Sequence, residues 1–226
     1  MADNNKTQAW NMARSLCSNC YTSVAFATIR VKRDRGGVMA RSTARREELA
    51  ALATDYAIEH GLIGLSLRPL AAAIGTSDRM LLYHFEGKDD LVATVLRISN
   101  DRSIAAVRTL PRPRSVRTAV LDLWRVSMSD ELDHCHRMQV EAAALGVLGR
   151  EPYASVLREA HSRWVETLVD HLTAAGCTRA RAERAVALLD ATFTGLQLDR
   201  PLDPEGSHRE RVINDLADAL AVVAKD

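Results

Sequence analysis

Between Leu49 and Leu91 the apolar residues fall into three short helical runs, each closed by a glycine, and this stretch constrains the fold more than any other. Leu49, Leu52, Ala53, Tyr56 and Ala57 stand at i, i+3, i+4, i+7 and i+8, one helix face that Gly61 can end in a left-handed cap. Ser66 sits where an N-cap belongs, ahead of a short second run that buries Leu70, Ala71 and Ile74 and stops at Gly75. Thr76 or Ser77 can cap a third run from Asp78 to Phe85, with Leu81 and Phe85 one turn apart and facing inward. Three helices this short must share one small core. Two of about eight residues joined by a glycine-containing turn form a helix-turn-helix, whose second helix fits a DNA major groove.

The rest of the chain is patterned as longer amphipathic helices, expected at 88–109, 114–130, 132–148, 153–175, 178–198 and 207–224. Pro111 and Pro113, the segment 149–152, Gly176 and the segment 201–206 separate them. Ala, Leu, Arg and Glu outweigh Val, Ile and Thr, and aromatics are only 4%, so the fold class expected is all-α. With 226 residues, 47% of them hydrophobic, there is material for one or two cored domains. No fixed-period repeat emerges. Charged residues interrupt every apolar stretch well before the roughly 20 residues a bilayer span requires, so no membrane partner is expected. Four cysteines are too few for a disulfide framework and suit a reducing cytoplasm.

A net charge of +1 conceals an uneven distribution. Residues 1–38 carry six Lys or Arg against two Asp, lack a sustained period and end in a basic, glycine-containing run. They read as a flexible basic extension, or as the product of a start codon placed upstream of Met39. The expected organisation is therefore an extension at 1–38, a helix-turn-helix domain at 39–88 and a helical bundle at 89–226.

The block from Leu67 to Leu91, LRPLAAAIGTSDRMLLYHFEGKDDL, closely resembles the DNA-binding signature of TetR-family transcriptional regulators. The likeness lies in the Ser/Thr cap, the glycine turn, the Tyr-His-Phe end and a Lys before an acidic, apolar restart. The chain departs from the commonest pattern in having Leu82 where an aromatic Tyr usually stands, with Tyr83 one place later, and Arg79 where a small residue is common. On physical grounds the first turn of the third helix offers free N–H groups to phosphate. Ser77, Asp78, Arg79 and Met80 would face base edges, with Arg79 able to pair with guanine, Asp78 with cytosine N4 and Met80 with a thymine methyl. Arg68 and Ser66 lie at the start of the second helix, within reach of a phosphate or flanking base. The resemblance places backbone contacts at Tyr83, His84 and Lys88, whose groups are competent phosphate donors. Arg41, Arg45 and Arg46 form a basic patch suited to a phosphate or the adjacent minor groove.

The resemblance implies an N-terminal three-helix helix-turn-helix domain followed by a ligand-binding and dimerisation bundle. The function implied is a cytoplasmic repressor that binds a palindromic operator as a homodimer and is released by a small-molecule effector. Its partners would be double-stranded DNA, a second copy of the chain and that effector. Effector candidates are Trp124, Met128, His134, Met138, Leu145 and Trp164, a mixture of aromatic, thioether and polar groups. Interface candidates are Leu189, Phe193 and Leu196 in one apolar stripe and Val212, Leu216 and Leu220 in another, able to pack as a four-helix bundle across a two-fold axis. The competing reading of those stripes is an intrachain core.

No cofactor or metal is expected. His134 and His136 diverge on a helix, and Cys17 and Cys20 form a single pair without a second. The chain has no glycine-rich phosphate loop, nucleophile elbow or paired-carboxylate constellation, so no enzyme is expected. The alternative is a helical small-molecule-binding protein or enzyme with a vestigial helix-turn-helix.

Overall fold

A computed structural model describes residues 36–224, and all of its regular elements are α-helices. The first three are α1 (Gly36–His60), α2 (Leu67–Ala73) and α3 (Asp78–His84). Then follow α4 (Lys88–Arg108), α5 (Val116–Ser127), α6 (Asp130–Val147), α7 (Tyr153–Ala174), α8 (Arg179–Leu198) and α9 (Ser207–Val223). The expected extension falls largely outside the described residues, as do Cys17 and Cys20. Helix α1 begins at Gly36, upstream of both Met39 and the periodic run from Thr43.

Local chemistry explains the helix ends. Gly75 takes φ +72° after α2, the Thr76 N–H donates to the Ala71 carbonyl and the Gly75 N–H to that of Ala72, which is the paired bonding of a Schellman turn. Ser77 then caps α3, its Oγ accepting from the Met80 N–H at 3.2 Å. Helix α5 stops at Ser127, short of the expected 130. There the Ser127 and Ser129 hydroxyls donate to the Trp124 and Val126 carbonyls, giving the last turn local partners in place of a continued helix.

Two apolar clusters organise the described residues. In the first, Leu49, Ala53 and Ala57 of α1, Leu70 and Ala71 of α2, and Leu81 and Phe85 at α3 pack with Leu91, Val95 and Leu96 of α4, and with Met138, Ala142, Tyr153 and Val156 of α6 and α7. The second gathers Val120 and Leu123 of α5, Leu168 and Leu172 of α7, Val186, Leu189 and Phe193 of α8, and Ile213, Ala217 and Leu220 of α9. Helix α4 serves both, completing the first with its opening turns and entering the second at Val107.

Candidate functional site

The outer face of the helix-turn-helix carries an unusual load of exposed side chains. Tyr83 is 73% exposed, Leu82 53% and Met80 42%, and Arg68, Ser77, Asp78 and Arg79 are also exposed. Meanwhile Leu81 and Phe85 on the opposite side of α3 are sealed in the core. A seven-residue helix thus spends its inward positions on anchoring and its outward ones on chemistry. Arg79 enters no ion pair among the described residues, leaving its fork of donors for an external acceptor. Ser66 precedes α2 with extended backbone but makes no side-chain cap bond, so its hydroxyl also faces outward.

Four of the expected DNA-contacting groups have partners within the chain. Two amides in the first turn of α3 are taken locally: Ser77 Oγ accepts from the Met80 N–H, and Asp78 Oδ1 from the Arg79 N–H at 2.9 Å. Arg46 faces inward. Its Nε donates to the His84 carbonyl at 3.0 Å, its terminal nitrogen to both Asp90 oxygens at 3.0 and 3.2 Å, and its guanidinium lies 4.8 Å from the Phe85 ring centre. It therefore ties α1 to the end of α3 and the start of α4. Arg45 is paired with Glu48 one turn away at 2.6 Å. Lys88 Nζ donates to the Leu65 carbonyl, closing the loop before α2 onto the start of α4. Arg41 remains exposed, and His84 is half-buried with its ring edge-on to Tyr83 at 5.0 Å.

The bundle encloses a cavity of about 390 Å³ between α4, α5, α6, α7 and α8. Asn100 and Ser103 of α4, Ser127 at the end of α5, His136 and Gln139 of α6, Trp164 of α7, and Asp190 and Phe193 of α8 supply its chemistry. Trp164 Nε1 donates to Asp190 Oδ1 at 3.1 Å. Burial holds the His136 imidazole below its ordinary pKa of 6.5, outweighing the backbone groups of Leu132 and Ser127 that favour its charged form, and its Nδ1 is sealed from solvent. Phe193 is fixed from behind by the Trp124 ring, edge-on at 5.1 Å.

Of the six effector candidates only Trp164 lines this cavity. Met138 is buried in the first cluster and Leu145 packs against it. His134 is on the surface beside the Asp130 carbonyl. Trp124 backs Phe193 and, with Met128, borders a separate groove along α9. The groups that the sequence reading missed, Asn100, Ser103, Gln139 and Asp190, are polar residues on the inward borders of apolar stripes. That signal was present, but helical spacing alone does not separate an inward border from an outward one.

The interface candidates divide in the same way. Leu189, Phe193, Leu196 and Leu220 are buried within the single chain, the intrachain-core reading, while Val212 and Leu216 are half-buried. The apolar residues that α8 and α9 expose are Leu188 at 52%, Leu198 at 57% and Val222 at 59%, with Ala187, Ala191 and Ala219 among them. Among the described residues no group of three His, Cys, Asp or Glu could hold a metal ion, and no helix is long and apolar enough to cross a membrane.

Residues 49–95 match the family described as bacterial regulatory proteins, tetR family. The solved structures similar to the chain include a transcriptional regulator assigned to the TetR family from Rhodococcus sp., at 23% identity and TM-score 0.65, covering 81% of this chain and all of that one. A transcriptional regulator from Rhodococcus sp. Rha1 aligns at 27% identity and TM-score 0.59 over 79% of this chain and 93% of its own. The multidrug binding protein EbrR, solved with imidazole, aligns at 26% identity and TM-score 0.56 over 78% and 94% respectively. No curated protein sequence matches the chain.

Proposed function

We propose that this chain, a DNA-binding transcriptional regulator of the tetR family, acts as a repressor that grips a palindromic operator as a homodimer and lets go when a small molecule enters the bundle. The observation that carries the DNA half is the outward set Arg68, Ser77, Arg79, Met80 and Tyr83 on a helix-turn-helix whose inward residues are fully used in packing. Arg79 reads base edges. Tyr83 and Arg68 hold the backbone, and Arg41 adds charge beside them.

Homodimerisation follows from DNA geometry, since two recognition helices must meet successive major grooves about 34 Å apart. The exposed apolar face of α8 and α9 around Leu188, Leu198 and Val222 is the surface assigned to it. Release works by linkage: a ligand lowers operator affinity only as far as it prefers a dimer whose recognition helices are wrongly spaced. What supports this reading is that α4, the helix that follows α3 in the chain, starts at Lys88 and lines the cavity with Asn100 and Ser103. A relative of similar fold, the multidrug binding protein EbrR, is described with a small nitrogenous molecule bound.

The test is anisotropy titration of DNA from upstream of the chain's own gene across a salt series. Saturable, sequence-selective binding at two chains per site, with affinity falling steeply as salt rises, is the expected result. Weak binding indifferent to sequence there and at other promoters would transfer the weight to a ligand-binding protein without a DNA role.

A further inference from the structure

The cavity carries one fixed charge in its inner wall, and the chemistry around that charge selects a ligand class. Asp190 lies in the second turn from the end of the buried stripe of α8, its side chain about three-quarters shielded from solvent. One oxygen accepts from the Trp164 indole at 3.1 Å; the other faces His161 Nδ1 at 3.8 Å, too long for a hydrogen bond. A carboxylate has about four acceptor positions, so most of this one's capacity is unused. Its open acceptor positions, in a wall that is otherwise largely apolar, suit a donor that brings positive charge.

The neighbours favour the same sign. Trp164 is oriented by its bond to Asp190, and Phe193 is braced by Trp124, so two aromatic rings border the carboxylate. Ring faces attract cations. His136, the other titratable group on the inner wall, is neutral near pH 7 because of its burial and adds no competing charge. Arg158 and His161, which also line the cavity, are exposed residues of α7. Asn100, whose Nδ2 reaches the Ala160 carbonyl at a long 3.3 Å, and Ser103, bonded to the Ser99 carbonyl at 3.3 Å, supply polar contacts on the far wall.

We propose that the cavity binds an organic cation, an amine or quaternary ammonium carrying an apolar body of ring size, with Asp190 as the counter-ion and Trp164 and Phe193 enclosing it. The proposal rests on the effector reading above and narrows it to a charge class. An ammonium against Asp190 also touches α7 and α8, while its apolar body reaches α4, so occupancy bears on the helix that leads to α3.

The test compares three probes that share a phenylbutyl body and differ in head group: phenylbutylammonium, phenylbutanol and phenylbutyrate. Each is titrated calorimetrically into the full chain. Saturable binding of the ammonium, with the alcohol and the carboxylate weaker by about tenfold or more, is expected. Asp190→Asn, which keeps an acceptor for the Trp164 N–H, should remove the preference for the ammonium, and Trp164→Phe should weaken it without reversing the order. Circular dichroism of both variants confirms that the bundle is intact. Equal binding of all three probes, a preference for phenylbutyrate, an unchanged preference in the Asp190→Asn variant, or no binding of the ammonium would each overturn the proposal. Repeating the titrations with operator DNA separates the two readings. If the ammonium binds through Asp190 and leaves operator affinity unchanged, the ligand class stands and the effector role falls. If phenylbutyrate binds in the cavity and releases DNA, the class falls and the effector role stands.

Discussion

Arg79 and Arg46 stand in the same small domain, and their surroundings give them opposite work. Arg79 is exposed, in no ion pair among the described residues, and one turn from the exposed Tyr83, so replacing it removes none of the packing or pairing described for the domain. Arg79→Ala should leave the melting temperature unchanged and cost about 1–3 kcal/mol of operator affinity, concentrated at one base pair, as read by anisotropy on a set of single-substituted operators. An equal loss on every sequence would make Arg79 a phosphate contact instead. Arg46 holds His84, Phe85 and Asp90 in one grip, and Asp90 also accepts from the Glu86 N–H at 3.2 Å. Arg46→Ala should therefore lower unfolding stability by about 1–2 kcal/mol in denaturant titration, the partial exposure of the pair limiting the effect. DNA affinity should fall with it, uniformly across sequences, because α3 loses its brace rather than its base contacts.

Helix α6 faces the cavity with His136 and Gln139, and on another side it grips the end of α1. Glu141 accepts from the Leu62 and Ile63 N–H groups at 2.5 and 3.0 Å, while Arg137 reaches toward the Ile58 and Glu59 carbonyls. Gly61 sits in this corner at φ +84°, and a Cβ there would come 2.7 Å from Glu141 Oε1. Gly61→Ala thus meets both a left-handed backbone and a carboxylate, and should destabilise by more than the 1–2 kcal/mol or so that the backbone alone costs. Glu141→Ala should leave the helices formed but speed hydrogen exchange at Leu62 and Ile63; unchanged protection there would show that the corner holds without α6. This grip was not legible in the sequence, because Arg137 and Glu141 look like ordinary surface charges on an amphipathic helix and their partners are backbone atoms nearly 80 residues away. What was legible is what local chemistry decides. Gly61 and Gly75 as helix stops, Ser77 as a cap and Leu81 and Phe85 as core follow from rules that span only a few residues. The cavity residues depend on which side of a stripe faces a third helix, and no local rule fixes that.

At the scale of the molecule, the buried histidines and the exposed seam of α8 and α9 make separate demands. Burial depresses both His136 and His171 below 6.5, so between that value and their folded pKa values the unfolded chain binds more protons than the folded one. Their contribution to stability is level above about pH 6.5 and declines as pH falls through the window beneath it. Thermal melts should show this loss, and His136→Gln should make the curve shallower; an unaltered slope would assign the acid sensitivity to other groups. The seam is a matter of assembly rather than folding. Leu189, beside Leu188 in sequence, points into the second core and is fully buried there, whereas Leu188 is half-exposed on the surface assigned to the partner copy. Leu188→Glu consequently spares the core and places a charge in the proposed interface, where a buried unpaired carboxylate is not tolerated. The expected product is a folded monomer, seen as half the dimer mass in sedimentation with an unchanged helical spectrum. Because a monomer engages one half-site and loses the effective concentration supplied by its partner, operator affinity should drop by about a hundredfold or more. A Leu188→Glu protein that still sediments as a dimer would remove α8 from the interface and send the search to another face of the bundle.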